Sequence, residues 1–208
     1  MAEEKPTADR LKRALKNSGP EYGIQLSSAT LERLGDYYEL LLKWNERLHL
    51  VAPCAPDEFA TRHVLESLTL LSHIPKDARV VDVGSGGGLP IVPCLIARPD
   101  LRAILIESSA RKAIFLREVL RLVGAENSRV VAARFENTTA PAVDYVTCRA
   151  LERFVQMLPT LIEWAPQGST FLLFGGESLF QKIKGIVPEA EGQLLPNSAR
   201  RFLIIAHR

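Results

Sequence analysis

The stretch Val80–Pro90, VVDVGSGGGLP, decides how this chain is read. A short apolar run reaches Asp82, and four of the five positions from 84 to 88 are glycine. Glycine accepts positive φ and lets a ligand touch the main chain. Between a strand and a helix, such a loop aims backbone N–H groups at whatever lies over the sheet edge. The spacing is not the dinucleotide fingerprint G-x-G-x-x-G. Counted from Gly84, the third glycine position holds Leu89; counted from Gly86, it holds Ile91. No G-K-[ST] follows, so a phosphate loop is excluded as well. What remains is D-x-G-x-G-x-G over Asp82, Gly84, Gly86 and Gly88, with a purely structural tight turn as the alternative.

Outward from the loop, short apolar runs alternate with helical patterns. RVVDV, RAILIE, SRVVAA, VDYVTC, STFLLF and RFLIIAH read as strands. Helices are expected after Gly88, from Ser109 to Val123 with Gly124 as the stop, and from Leu151 to Trp164. That alternation predicts an α/β fold with a mostly parallel sheet, whose strand carboxyl ends line one edge. Residues 1–75 read differently. Leu31, Leu34, Tyr38, Leu41, Leu42 and Leu48 recur at helical spacing, with Ser28 able to cap the start. A further helix is expected from Asp57, turning Phe59, Val64, Leu65, Leu68 and Leu71 inward. A helical portion over 1–75 therefore precedes a unit over 76–208, the two expected to form one compact body.

Bulk properties narrow the class. A chain of 208 residues, 47% hydrophobic, can bury one substantial core. The net charge of +2 is too small for a purely electrostatic nucleic-acid binder. Basic residues still cluster, at Lys5, Arg10, Lys12, Arg13 and Lys16, and at Arg111, Lys112, Arg117 and Arg121; solvated helix faces explain such clusters equally well. Cys54, Cys94 and Cys148 are far apart and odd in number, so neither a disulfide framework nor a metal site is expected. Without a signal-peptide core or a membrane-length apolar run, a cytoplasmic protein with no membrane partner is expected.

The glycine pattern resembles the first motif of class I S-adenosylmethionine-dependent methyltransferases. That cofactor carries a cationic sulfonium and an amino-acid tail, so an acidic residue at the strand end is compatible with it. Glu107 ends the next strand, 25 residues after Asp82, where a carboxylate can take both ribose hydroxyls. A solvated strand-end carboxylate is the alternative. Phe135 and Glu136, after the third strand, would sit beside the adenine, although Phe135 also fits a core. After the fourth strand the chain reads DYVTCRALER, without the N/D-P-P-Y/F-like motif that meets exocyclic amines. Cys148 stands close to where a pyrimidine-methylating nucleophile would, but a buried strand-end cysteine reads the same way. An acceptor that is already nucleophilic, such as guanine N7, needs only alignment and exclusion of water. Arg149 is the candidate for positioning it, or for holding the cofactor's carboxylate, with a structural ion pair as the alternative.

LLLKWNERLHL, RHVLESL, DVGSGGGLPIVP, RKAIFLREVL and CRAL together resemble the GidB (RsmG, glucose-inhibited division protein B) family of bacterial 16S rRNA guanine-N7 methyltransferases. The resemblance runs from about Leu31 to Arg208. It implies a Rossmann-like, seven-stranded class I methyltransferase domain behind a helical extension, with S-adenosyl-L-methionine as donor. The implied acceptor is a guanine in the decoding-site loop of 16S rRNA, as free rRNA or in the small ribosomal subunit. No metal is implied, and a monomer is favoured. The cofactor contacts would fall on Asp82, Gly84, Gly86, Gly88, Leu89, Glu107, Phe135, Glu136 and Arg149. Lys43, Arg62, Arg111 and Lys112 are candidate rRNA contacts. Trp44 reads as a packing residue, His63 as a structural histidine, and Asn45 as a cap or interhelical bond. Where the family's late strand ends in lysine–glycine, this chain has Gly175-Gly176, so that charge is either lost or supplied by Lys182 or Lys184. A protein that keeps the fold but only binds RNA, or a methyltransferase with another acceptor, is the alternative.

Overall fold

The computed structural model describes residues 6–149 and 154–208. Helix α1 (Pro6–Ser18) buries Ala8, Leu11, Ala14 and Leu15 along one stripe. Helix α2 (Ser28–Leu48) buries Leu34, Tyr37, Tyr38 and Leu41, the i, i+3, i+4, i+7 pattern of a single inward face. Its cap is Ser27, one residue before the expected Ser28, because Ser27 is the extended residue whose hydroxyl accepts from Thr30 N–H at 3.1 Å.

The next helical stretch is interrupted. After α3 (Pro56–Phe59) the chain widens into a π-helical turn, Ala60–Leu65, and tightens again through α4 (Glu66–Leu68) and a 3₁₀ turn, Thr69–Ser72. These changes of pitch rotate the inward face. Phe59, Val64, Leu65 and Leu68 are buried as expected, but Leu70 takes the inward place expected of Leu71, which is only half-buried.

The strands are β1 (Arg79–Val83), β2 (Arg102–Glu107), β3 (Arg129–Ala132), β4 (Tyr145–Arg149), β5 (Thr170–Gly175), β6 (Glu191–Leu194) and β7 (Phe202–His207). They form one sheet in the order β3-β2-β1-β4-β5-β7-β6. β1 to β5 run parallel, β7 is antiparallel to β5, and β6 is antiparallel to β7. The connecting helices are α5 (Ile91–Ala97), α6 (Ala110–Leu122), α7 (Phe154–Trp164) and α8 (Glu177–Lys184). The start expected for α7 at Leu151 lies outside the described residues. Sequence reading placed neither β6 nor α8.

Alternation along the strands splits the core in two. Val80, Ala103, Leu105, Leu172, Leu203 and Ile205 face a layer containing α1, α2, α5 and α6. Val81, Val83, Ile106, Val146, Cys148 and Leu173 face α7 and α8. Helices on both faces explain why the strands read as continuous apolar runs. Strand order reverses between β1 and β4, so their carboxyl ends flank a crevice at the topological switch point. Among the described residues no helix is long and apolar enough to cross a membrane.

Candidate functional site

The loop after β1 is pinned on three sides. Gly84 and Ser85 N–H donate to the Ile106 carbonyl at 2.9 and 3.1 Å, extending the β1–β2 ladder. Gly86 N–H donates to Glu107 Oε2 at 2.9 Å. Tyr37 of α2 donates its buried hydroxyl to the Gly87 carbonyl at 2.6 Å. Gly84, Gly86 and Gly88 all have positive φ, at 73°, 52° and 87°. At Gly88 the reason is packing as well as conformation, since a Cβ there would lie 2.6 Å from Val92 Cγ2 on α5.

Glu107 closes the β2 side. Its Oε1 accepts from Ser109 N–H at 2.7 Å and lies 3.4 Å from the Ser108 hydroxyl. Asp82 stands one layer below. It pairs in register with Thr147 of β4, whose hydroxyl donates to Oδ1 at 2.7 Å. Burial raises its carboxyl to about 7. Across the crevice, Arg149 ends β4 with its guanidinium 5.3 Å from the centre of the Phe174 ring. Its Nη2 donates to the Arg62 carbonyl at 2.6 Å and to Glu66 Oε2 at 3.1 Å. Glu66 is fully buried, and its Oε1 accepts from Arg201 Nε and Nη2 at 2.9 and 2.7 Å. His63 lies alongside, 5.0 Å from Phe59 ring to ring; burial and the neighbouring Arg149 hold its imidazole down to about 4. Three buried side-chain atoms find no hydrogen-bond partner among the described residues: His63 Nδ1, Asp82 Oδ2 and Arg149 Nη1.

These groups surround a cavity of about 430 Å³, lined by Gly84–Gly87, Leu89, Glu107, Ser108, Lys112, His63, Arg149 and the segment Leu50–Ala52. Of the residues expected at a cofactor, Gly84, Gly86, Leu89, Glu107 and Arg149 meet on this wall. Asp82 and Gly88 do not reach it; they support the loop from behind. Phe135 and Glu136 do not reach it either. The Phe135 ring is drawn into the second core, edge-on to Trp164 at 5.5 Å, and Glu136 is exposed on the turn Phe135–Asn137. Cys148 is fully buried and also absent from the wall.

Of the four candidate rRNA contacts, Lys112 lines the cavity, while Lys43, Arg62 and Arg111 are exposed. The Arg62 side chain pairs with Glu58, and only its carbonyl reaches Arg149. Trp44 packs near Phe115 and donates to Glu118 Oε2 at 3.1 Å, joining α2 to α6. Asn45 exchanges two hydrogen bonds with the Val51 backbone, at 2.9 and 3.1 Å, and so fixes the Leu50–Ala52 wall. At Gly175 a Cβ would lie 2.4 Å from Leu179 Cδ2, so glycine lets α8 close on β5. Neither Lys182 nor Lys184 lines the cavity, and Lys184 sits over the Phe180 ring. Sequence reasoning assigned no role to Glu66 or Arg201; the former's signal was the segment RHVLESL, and the latter had none.

The residues fit a cofactor such as S-adenosylmethionine. The volume lies within the roughly 300–1,000 Å³ usual for small-molecule sites. Glu107 offers a nearly buried carboxylate beside the glycine backbone, and Arg149 retains an unpaired cationic N–H. Among the described residues no cluster of three metal-ligating side chains occurs.

Comparison with known proteins agrees in sequence and in fold. The GidB family model, rRNA small subunit methyltransferase G, matches residues 30–191. Ribosomal RNA small subunit methyltransferase G of Sorangium cellulosum is 40% identical over 162 residues, covering 74% of this chain and 68% of that protein. The protein of the same name from Chromobacterium violaceum is 34% identical over 186 residues, covering 88% and 83%. Among solved structures, a SAM-dependent methyltransferase from Aquifex aeolicus superposes with a TM-score of 0.56 at 13% identity, covering 72% of this chain and 92% of that one. An RNA methyltransferase from Salinibacter ruber, in complex with S-adenosyl-L-homocysteine, gives 0.52 at 14% identity, covering 69% and 89%. These two share the class I methyltransferase fold with this chain.

Proposed function

The chain belongs to the GidB family, rRNA small subunit methyltransferase G, and we propose that it methylates N7 of one guanine in the decoding-site loop of 16S rRNA. S-adenosylmethionine, when bound, supplies an electrophilic methyl group on a sulfonium. In this reading Glu107 accepts from a ribose diol, supported by its carboxylate lying on the cavity wall beside the backbone of Gly84–Gly87. Arg149 directs a cationic N–H to the acceptor or to the cofactor's carboxylate.

The observation that supports the choice of N7 is that, among the described residues, the cavity wall carries no poised base. His63 titrates near 4, Glu107 is engaged by backbone N–H groups, and Asp82, near 7, lies behind the loop. Guanine N7 offers a lone pair at neutral pH, so orientation and exclusion of water suffice. The test is methyl transfer from labelled S-adenosylmethionine to small subunits and to free 16S rRNA from a strain lacking this protein, with the label then mapped. N7-methylguanine at one decoding-site position is the expected result. Label on an exocyclic amine or a pyrimidine carbon, or none, would overturn the reading.

A further inference from the structure

We propose that Glu66 is a positioning residue for Arg149, held to that task by Arg201. The proposal rests on the reading of Arg149 as a residue of the methyl-transfer site. Glu66 is fully buried, and ionising a carboxylate there costs several kcal/mol unless partners repay it. Two guanidinium groups do so from opposite sides, Arg149 on Oε2 and Arg201 on Oε1. An apolar side chain would fill the same space at less electrostatic cost. The arrangement is therefore better explained by what it does to Arg149.

It fixes that guanidinium at three points. Phe174 lies 5.3 Å from it, the Arg62 carbonyl takes Nη2 at 2.6 Å, and Glu66 takes the same nitrogen at 3.1 Å. Nη2 is thereby committed, and Nη1 is the nitrogen left without a partner among the described residues. The Arg62 carbonyl belongs to the π-helical turn Ala60–Leu65, a feature that recurs at functional sites, and Glu66 directly follows it. Of the three charged groups only Arg149 lines the cavity; Glu66 and Arg201 stand behind it. The acid of RHVLESL, which had no assigned role, acquires one here.

The test compares Glu66→Gln, Arg149→Lys and the double variant in the full chain, using labelled S-adenosylmethionine and unmethylated small subunits. Melting curves ensure that only folded protein is assayed. Glu66→Gln is expected to lower kcat/KM on the order of 10- to 100-fold, as a misplaced reacting group does. It should change the same parameter, kcat or KM, as Arg149→Lys, and the double variant should be no slower than Arg149→Lys alone. Glu66→Asp, which keeps the charge, should recover part of the rate.

A lower melting temperature with an unchanged rate, or effects that multiply in the double variant, would overturn the proposal. Full activity in Arg149→Lys would bring down the reading of Arg149 and the proposal with it. A slow Arg149→Lys beside a fast Glu66→Gln would bring down the proposal alone. If Glu66→Gln does not fold, Arg201→Met replaces it; a loss in the shared parameter supports the proposal and an unchanged rate overturns it.

Discussion

Asp82, fully buried, and His63, half-buried, stand beside the same crevice, yet their protonation pulls stability in opposite directions. Burial lifts Asp82 to about 7, so between about pH 4 and 7 the folded chain keeps a proton that the unfolded chain releases. Its contribution is fully present below the unfolded value and is lost as pH rises through that window, roughly 4 kcal/mol in all at about 1.4 kcal/mol per unit. His63 is held down to about 4 by burial, then by Arg149 and Arg62. Its contribution is present above about 6.5 and is lost as pH falls towards 4, by roughly 3 kcal/mol. Urea unfolding of the ligand-free protein at fixed pH separates the two. Asp82→Asn should gain on the parent as pH rises from 4 to 7, and His63→Gln should gain as pH falls from 6.5 to 4. Parallel pH profiles for parent and variants would show that neither group is held away from its ordinary range.

At the scale of the element, the glycine loop divides into two jobs that its spacing presented as one. Gly84 and Gly86 lie on the cavity wall, whereas Gly88 faces α5. A Cβ at Gly86 meets only the Gly84 carbonyl, at 3.7 Å, but one at Gly88 meets Val92 at 2.6 and 3.2 Å with φ at +87°. Gly86→Ala should cost about 1 kcal/mol of backbone strain. Gly88→Ala should cost roughly 2–4 kcal/mol, strain and overpacking together. Unfolding titrations of the pair check the order; equal losses would mean that α5 yields without cost. Strand, loop and following helix were all legible here, because their signals are local in sequence. The turn Ala60–Leu65 was not, because a π-helical turn keeps helical composition and reveals itself only by moving the buried position from Leu71 to Leu70. Strand β6 was equally hidden, since EGQL is a largely exposed edge strand without the apolar alternation that marks one.

Over the whole molecule, the alternation of strands and helices was enough to predict the parallel sheet, and five of the nine expected cofactor residues meet on one wall. The missing pieces are contacts between distant positions: Arg201 reaches Glu66 across 135 residues, and Tyr37 reaches Gly87 across 50. No local pattern encodes such pairs. The same contacts argue against treating residues 1–75 as a detachable extension. Leu11, Leu34, Leu41, Phe59 and Leu65 share one continuous core with Val80, Leu89, Ile91, Leu116 and Leu203. Tyr37→Phe should leave the Gly87 carbonyl buried and unpaired, at about 1–3 kcal/mol, and should weaken S-adenosylmethionine binding although position 37 is not on the cavity wall. Calorimetry of the full chain should then show one cooperative transition, shifted to lower temperature in that variant. A fragment spanning 76–208 would expose the apolar faces of β1, α5 and α6 and lose the Glu66 partner of Arg149. It should show no cooperative melt and no S-adenosylmethionine binding. A fragment that melts cooperatively and binds would instead make the helical portion a separate unit, whose part in the site is limited to the residues it lends to the wall.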